Sequence, residues 1–152
     1  MYLNNKTSFV RVIVLFLVVT LIFPIGANAA SVEPMQPYAS KYLSSYTAYV
    51  YLAGGGLVQV YFNVEGTGMM DELGALTIEL YESTDKSTWK WVKTFDHLLD
   101  SGMLGYDNFY HSGHVDYQGV EGRYYKAYVC IWAGKDGTGD TRYFWTSVKP
   151  TT

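Results

Sequence analysis

Gly122-Arg-Tyr-Tyr-Lys-Ala-Tyr-Val-Cys-Ile-Trp-Ala133 is followed by Lys135-Asp-Gly-Thr-Gly-Asp140 and then by Thr141-Arg-Tyr-Phe-Trp-Thr-Ser-Val-Lys149. Two runs rich in aromatic and β-branched residues flank a Gly/Asp segment, which is the pattern of a β-hairpin. Successive side chains of a strand point to opposite sides. In the first arm Tyr125, Ala127, Val129, Ile131 and Ala133 therefore share one face, and Tyr124, Lys126, Tyr128, Cys130 and Trp132 share the other. The first set is a smooth apolar strip suited to a core; the second is aromatic and carries a charge. In the second arm Tyr143 and Trp145 fall on the aromatic side, with Phe144 and Val148 on the core side.

Five further runs read as strands: Ser45–Leu52, Leu57–Glu65, Gly74–Glu82, Thr88–Phe95 and Asn108–Tyr117. Leu57–Glu65 alternates cleanly, with Val58, Val60, Phe62 and Val64 inward. In Gly74–Glu82 the inward set is Leu76, Ile78 and Leu80, and the outward set is Thr77, Glu79 and Tyr81. Trp89 and Trp91 share a side of the next run. Gly66–Leu73 and Asp96–Asp107 read as loops, and Gly113 as a bulge. No segment shows a helical period. The expectation is an all-β fold, a seven-stranded antiparallel β-sandwich.

The strand count and the pattern Gly122-x-x-Tyr125-x-Ala127-x-Val129 resemble fibronectin type III and immunoglobulin-like sandwiches. The resemblance implies that Tyr125, or alternatively Tyr124, is a tyrosine corner whose hydroxyl bonds nearby backbone. With one cysteine the immunoglobulin disulfide is absent, which favours the fibronectin-like variant. The chain after its leader also resembles a family of small secreted bacterial proteins of unknown function. That likeness lies in Gly74-Ala-Leu76, Leu80-Tyr-Glu-Ser-Thr-Asp85, Tyr110-His-Ser-Gly-His114 and the run from Arg123 to Asp136. It implies a signal peptide plus one β domain, and assigns no activity.

Lys6 and Arg11 precede an apolar run, Val12–Phe23, broken only by Thr20. Pro24, Gly26 and the small-x-small triplet Ala27-Asn28-Ala29 follow, as in a secretory signal peptide. The run is shorter than the ~20 residues a spanning helix needs. Residues 1–29 are thus expected to be the signal, with cleavage after Ala29 or alternatively Ala30. Residues 30–43, with Pro34 and Pro37, read as a loose leader, and residues 44–152 as the domain. The protein is expected to be secreted and extracellular, without membrane insertion after cleavage. Net charge is −3, and loss of Lys6 and Arg11 takes it to −5. No basic cluster invites nucleic acid or an anionic membrane. Cys130 has no partner for an internal disulfide; it reads as a small hydrophobe, with an intermolecular disulfide or a reactive thiol as the alternative.

The candidate ligand-binding face is Tyr124, Lys126, Tyr128, Trp132, Tyr143 and Trp145. Flat rings stack on the C–H faces of pyranoses while polar neighbours bond the hydroxyls. Asp136 and Asp140 in the hairpin loop are candidate polar contacts. The expected partner is a glycan or cell-wall polymer. A protein partner is the alternative, because exposed aromatic patches also mark protein contacts. The plainer reading is that other chain, such as the first strand or the Tyr38–Tyr46 segment, covers the face.

His111 and His114 are three residues apart on one strand and should diverge unless Gly113 bulges. Asp136 and Asp140 fall short of the six to eight oxygens calcium takes. No metal or cofactor is expected. Ser83-Thr84-Asp85-Lys86-Ser87-Thr88-Trp89 reads as a turn built on Asp85. No nucleophile, base or acid falls into a catalytic pattern, and loop carboxylates such as Asp71 and Glu72 have no evident partner. No catalytic residue is assigned; a small secreted hydrolase is the third reading.

Overall fold

A computed structural model describes residues 40–150. The signal peptide and residues 30–39 of the leader lie outside the described residues. Seven β elements follow in order: β1 (Leu43–Leu52), β2 (Leu57–Ser83), β3 (Lys90–Asp96), β4 (Leu104–Gln118), β5 (Tyr124–Lys135), β6 (Thr138–Trp145) and β7 (Lys149–Pro150). All pairings are antiparallel. The described residues contain no helix. Six of the seven elements are strands of seven residues or more; the last is a two-residue segment against Tyr124 and Tyr125.

β2 organises the chain. Its first half pairs with β1 on one edge and β4 on the other. Its second half pairs with β5 on one edge and β3 on the other. β6 adds outside β5. One buried cluster draws on both halves of β2, with Val58, Val60, Phe62 and Val64 from the first and Leu73, Ala75, Ile78 and Leu80 from the second. Tyr125, Ala127, Val129, Ile131 and Ala133 of β5 join it fully buried, as their alternation predicts.

Several sequence expectations need correction. Leu57–Glu65 and Gly74–Glu82 are one strand, and Gly66–Leu73 is not a loop. Alternation fails there because β2 changes register. Buried hydrophobic residues of β2 are even-numbered through Met70, odd at Leu73 and Ala75, and even again at Ile78 and Leu80. Register shifts lie between Glu65 and Met70 against β4, and between Ala75 and Thr77 against β5. An extra residue on one strand reverses which side chains face the core while pairing resumes beyond it. Leu76, expected inward, is only half-buried for the same reason.

Gly113 carries no bulge: it pairs in register with Phe62. A Cβ there would lie 2.6 Å from Phe62 Cζ, so glycine is required by close packing. The Asp96–Asp107 loop is shorter than expected, since β4 starts at Leu104. β1 starts at Leu43, which is buried, so the leader yields its last residue to the sheet. Val148, expected inward, is exposed.

The hairpin turn is tighter than the expected loop. Lys135 pairs with Thr138, leaving Asp136 (φ 54°) and Gly137 (φ 73°) as the turn. Two positive φ values on Asp-Gly suit the twist of a two-residue hairpin. At the other end of β5, the Val120 N–H donates to the buried Tyr125 hydroxyl at 2.8 Å. That hydroxyl lies 3.4 Å from Glu82 Oε2, whose other oxygen meets Arg123 Nη1 at 3.0 Å. Burial, first of all, raises the Tyr125 phenol above its ordinary range.

Candidate functional site

The outward side chains of β3, the second half of β2, β5 and β6 fall into cross-strand rows. Trp91, Tyr81 and Lys126 form one. Thr94, Glu79, Tyr128 and Trp145 form the next. Thr77, Cys130 and Tyr143 form a third. Directly opposed side chains in a sheet are close enough to touch, as Tyr128 and Trp145 do.

Trp145 is the hub. Its ring centroid lies 4.9 Å from Tyr128, tilted by 39°, and 5.2 Å from Tyr81, edge-on at 60°. Tyr128 also stacks on Tyr143 at 5.9 Å. Lys126 Nζ sits 4.1 Å from the Trp145 centroid and 4.4 Å from that of Trp89, between two indoles. A cation over the negative face of an indole is attracted by the ring quadrupole. The group remains open: Trp145 is 48 %, Trp91 54 % and Tyr143 60 % exposed.

Polar groups border the rings. The Tyr81 hydroxyl donates to Glu79 Oε2 at 2.7 Å, and this bond to a carboxylate is the main reason its phenol titrates above the ordinary range. Cys130 is buried beneath the same face, and burial raises its thiol above the ordinary value. Its hydrogen bond with Tyr143 raises that phenol in turn. A protonated, buried thiol is a poor nucleophile. The face offers ring surfaces, one ammonium, one carboxylate and phenol hydroxyls.

Of the six residues expected on this face, the structure brings together Lys126, Tyr128, Tyr143 and Trp145. Tyr124 instead lies under Lys86, whose Nζ is 4.5 Å from its ring. Trp132 covers a pair of glycines: a Cβ on Gly134 would lie 2.5 Å from Trp132 Cζ2, and one on Gly139 2.5 Å from its Cη2. Gly134 and Gly139 are directly paired, so the indole fills the space that two missing side chains leave. Asp136 and Asp140 do not reach the rings. Asp136 occupies the turn, and its N–H donates to Asp71 Oδ2 at 2.7 Å. Asp140 accepts from the Ser40 hydroxyl and, at 3.2 Å, from the Tyr42 N–H. The Ser40 bond is the main cause holding its carboxyl below the usual range.

Tyr81, Trp89, Trp91 and Glu79 join the site although no expectation placed them there. The outward direction of Glu79 and Tyr81 and the shared side of Trp89 and Trp91 were readable, but the pairing of β2 with β5 joins residues more than forty positions apart and leaves no local mark. A second aromatic row lies on the outward side of β1, the first half of β2 and β4. Tyr61 stacks on Tyr49 at 5.3 Å and on His114 at 4.9 Å, with Tyr51 edge-on. His111 and His114 diverge as strand geometry requires: His111 bonds the Gly102 carbonyl, while His114 lies beside Asp116. Among the described residues no three His, Cys, Asp or Glu side chains converge as a metal site. Ser83–Trp89 is a turn around Asp85, which accepts from the Ser87 and Thr88 amides at 2.8 Å. Neither a protein-family model nor a curated protein matches this chain.

Proposed function

We propose that this protein is a secreted, non-catalytic binding module that holds a glycan or cell-wall polymer on the aromatic face centred on Trp145. The observation that carries this reading is the assembly of Trp145, Tyr128, Tyr143, Tyr81 and Lys126 on one open sheet surface. Aromatic rings present large, rigid apolar area with polar edges, and pyranose C–H faces are their natural complement. In this reading the chain folds as a β-sandwich of the fibronectin type III or immunoglobulin-like kind. Contact between Tyr46 of β1 and Phe144 of β6, 5.2 Å apart, supports it, as does the corner bond of Tyr125 to the Val120 backbone. Export through the signal peptide of residues 1–29 is part of the same proposal.

The test is binding of the purified protein to an immobilised panel of glycans and cell-wall polymers, beside a Trp145→Ala/Tyr143→Ala variant. Saturable binding that the variant loses is the expected result. A folded protein that binds nothing on the panel sinks the glycan reading. The second aromatic row, with Tyr49 and Tyr51 exposed, favours a protein-interaction module as the second reading. Under it, pull-downs capture a partner, and that contact is lost on Tyr49→Ala/Tyr61→Ala substitution.

A further inference from the structure

Lys126 is the one cation at the centre of the aromatic face, and it rests on rings instead of a carboxylate. Among the described residues the carboxylate contacts of basic side chains are His97–Asp96, His114–Asp116 and the Arg123–Glu82 ion pair. Lys126 is in none of them. On this face of the sheet the carboxylate nearest in register, Glu79, is one row away and accepts the Tyr81 hydroxyl. The next acidic side chain along this end of the face, Asp85, is taken up by the Ser87 and Thr88 amides and the Ser83 hydroxyl. Lys86 likewise parks over the Tyr124 ring. The Lys126 stem is half-buried and its ammonium is fixed between Trp89 and Trp145. A π face stabilises an ammonium without filling its hydrogen-bonding capacity, since the three N–H donors need acceptors.

We propose that the face selects sugars bearing an acidic group, carboxylate or phosphate, with the anion on Lys126 Nζ and the sugar ring against Trp145. This rests on the glycan-binding reading of the same face and names the ligand class within it. The chain as a whole is anionic at −3, so attraction is confined to contact distance and does not steer a polyanion from afar.

The test compares matched polymers by titrating the intrinsic tryptophan fluorescence of the purified protein. Polygalacturonate is set against its fully methyl-esterified form, and phosphorylated dextran against dextran. Lys126→Met keeps the aliphatic stem between the indoles and removes the charge; its thermal midpoint reports that the fold is intact. Wild type is expected to prefer one acidic polymer over its neutral match on the order of tenfold, the scale of one charge-assisted hydrogen bond. Lys126→Met should erase that preference, lowering affinity for the acidic polymer far more than for its neutral match. Preference within the first pair assigns a carboxylate, and within the second a phosphate. Equal affinity within both pairs, or a preference that survives Lys126→Met, overturns the acidic-sugar proposal and leaves a neutral-glycan face standing. A folded protein that binds none of the four polymers overturns both.

Discussion

Trp132 is placed by what it covers. Its indole lies over Gly134 and Gly139, so its duty is to the hairpin end. Trp132→Ala should lower the thermal midpoint and leave glycan affinity unchanged, whereas Trp145→Ala should abolish binding with little loss of stability. Equal loss of binding in both variants would contradict this division. Gly139→Ala would set a Cβ 2.4 Å from the Ala133 carbonyl oxygen as well as against the indole. Overpacking of that kind costs roughly 1–3 kcal/mol, measurable by urea unfolding. Tyr125→Phe removes the hydroxyl to which the Val120 N–H donates, and should cost about 1–2 kcal/mol by the same measurement. Asp85 is exposed, but two backbone amides hold its pKa down to about 2 from 3.8. A depressed carboxyl stabilises its turn above the unfolded value and loses that support as pH falls through the folded one. The Ser87 and Thr88 amide shifts should therefore titrate with a midpoint of about 2; a midpoint near 3.8 would show that the bonds do not hold in solution.

At the scale of elements, β5 was the most legible part of the chain. Its strict alternation separated five buried residues from an aromatic face, and every inward assignment holds. β2 was the least legible, because a strand that shifts register breaks the period by which strands are recognised. Gly66, Gly68 and Asp71 look like loop residues, yet Gly66 pairs with Leu43 of β1, and pairing with β4 resumes at Met70. The Thr67 N–H donates to the Tyr42 carbonyl at 2.9 Å, and Met70 pairs with Asn108. The Asp136-Gly137 turn was readable as a turn but not as a two-residue one. Its left-handed Gly137 predicts that Gly137→Ala costs about 1–2 kcal/mol through backbone strain alone. A turn that tolerates alanine without loss would argue against that geometry.

For the molecule as a whole, the site was half legible. Lys126, Tyr128, Tyr143 and Trp145 lie on adjacent strands joined by a short turn, so alternation and hairpin pairing bring them together. Tyr81 and Trp89 come from a strand and a turn whose position beside β5 depends on long-range pairing. The core follows the same rule: Phe62 and Ile78 belong to different halves of β2 but to one buried cluster. Truncating either should destabilise the whole domain by about 2–5 kcal/mol, in a single unfolding transition followed by both circular dichroism and tryptophan fluorescence. β2 also has a consequence in time. It is complete once residue 83 has been made, but the residues it pairs with in β4 and β5 run to Gln118 and Gly134. Until they emerge, a long apolar ribbon waits with open edges, and loops of many tens of residues must close before it is covered. Such a chain folds slowly, on the millisecond-to-second scale of non-local β proteins, and is most vulnerable to association with its own kind while it is still being made.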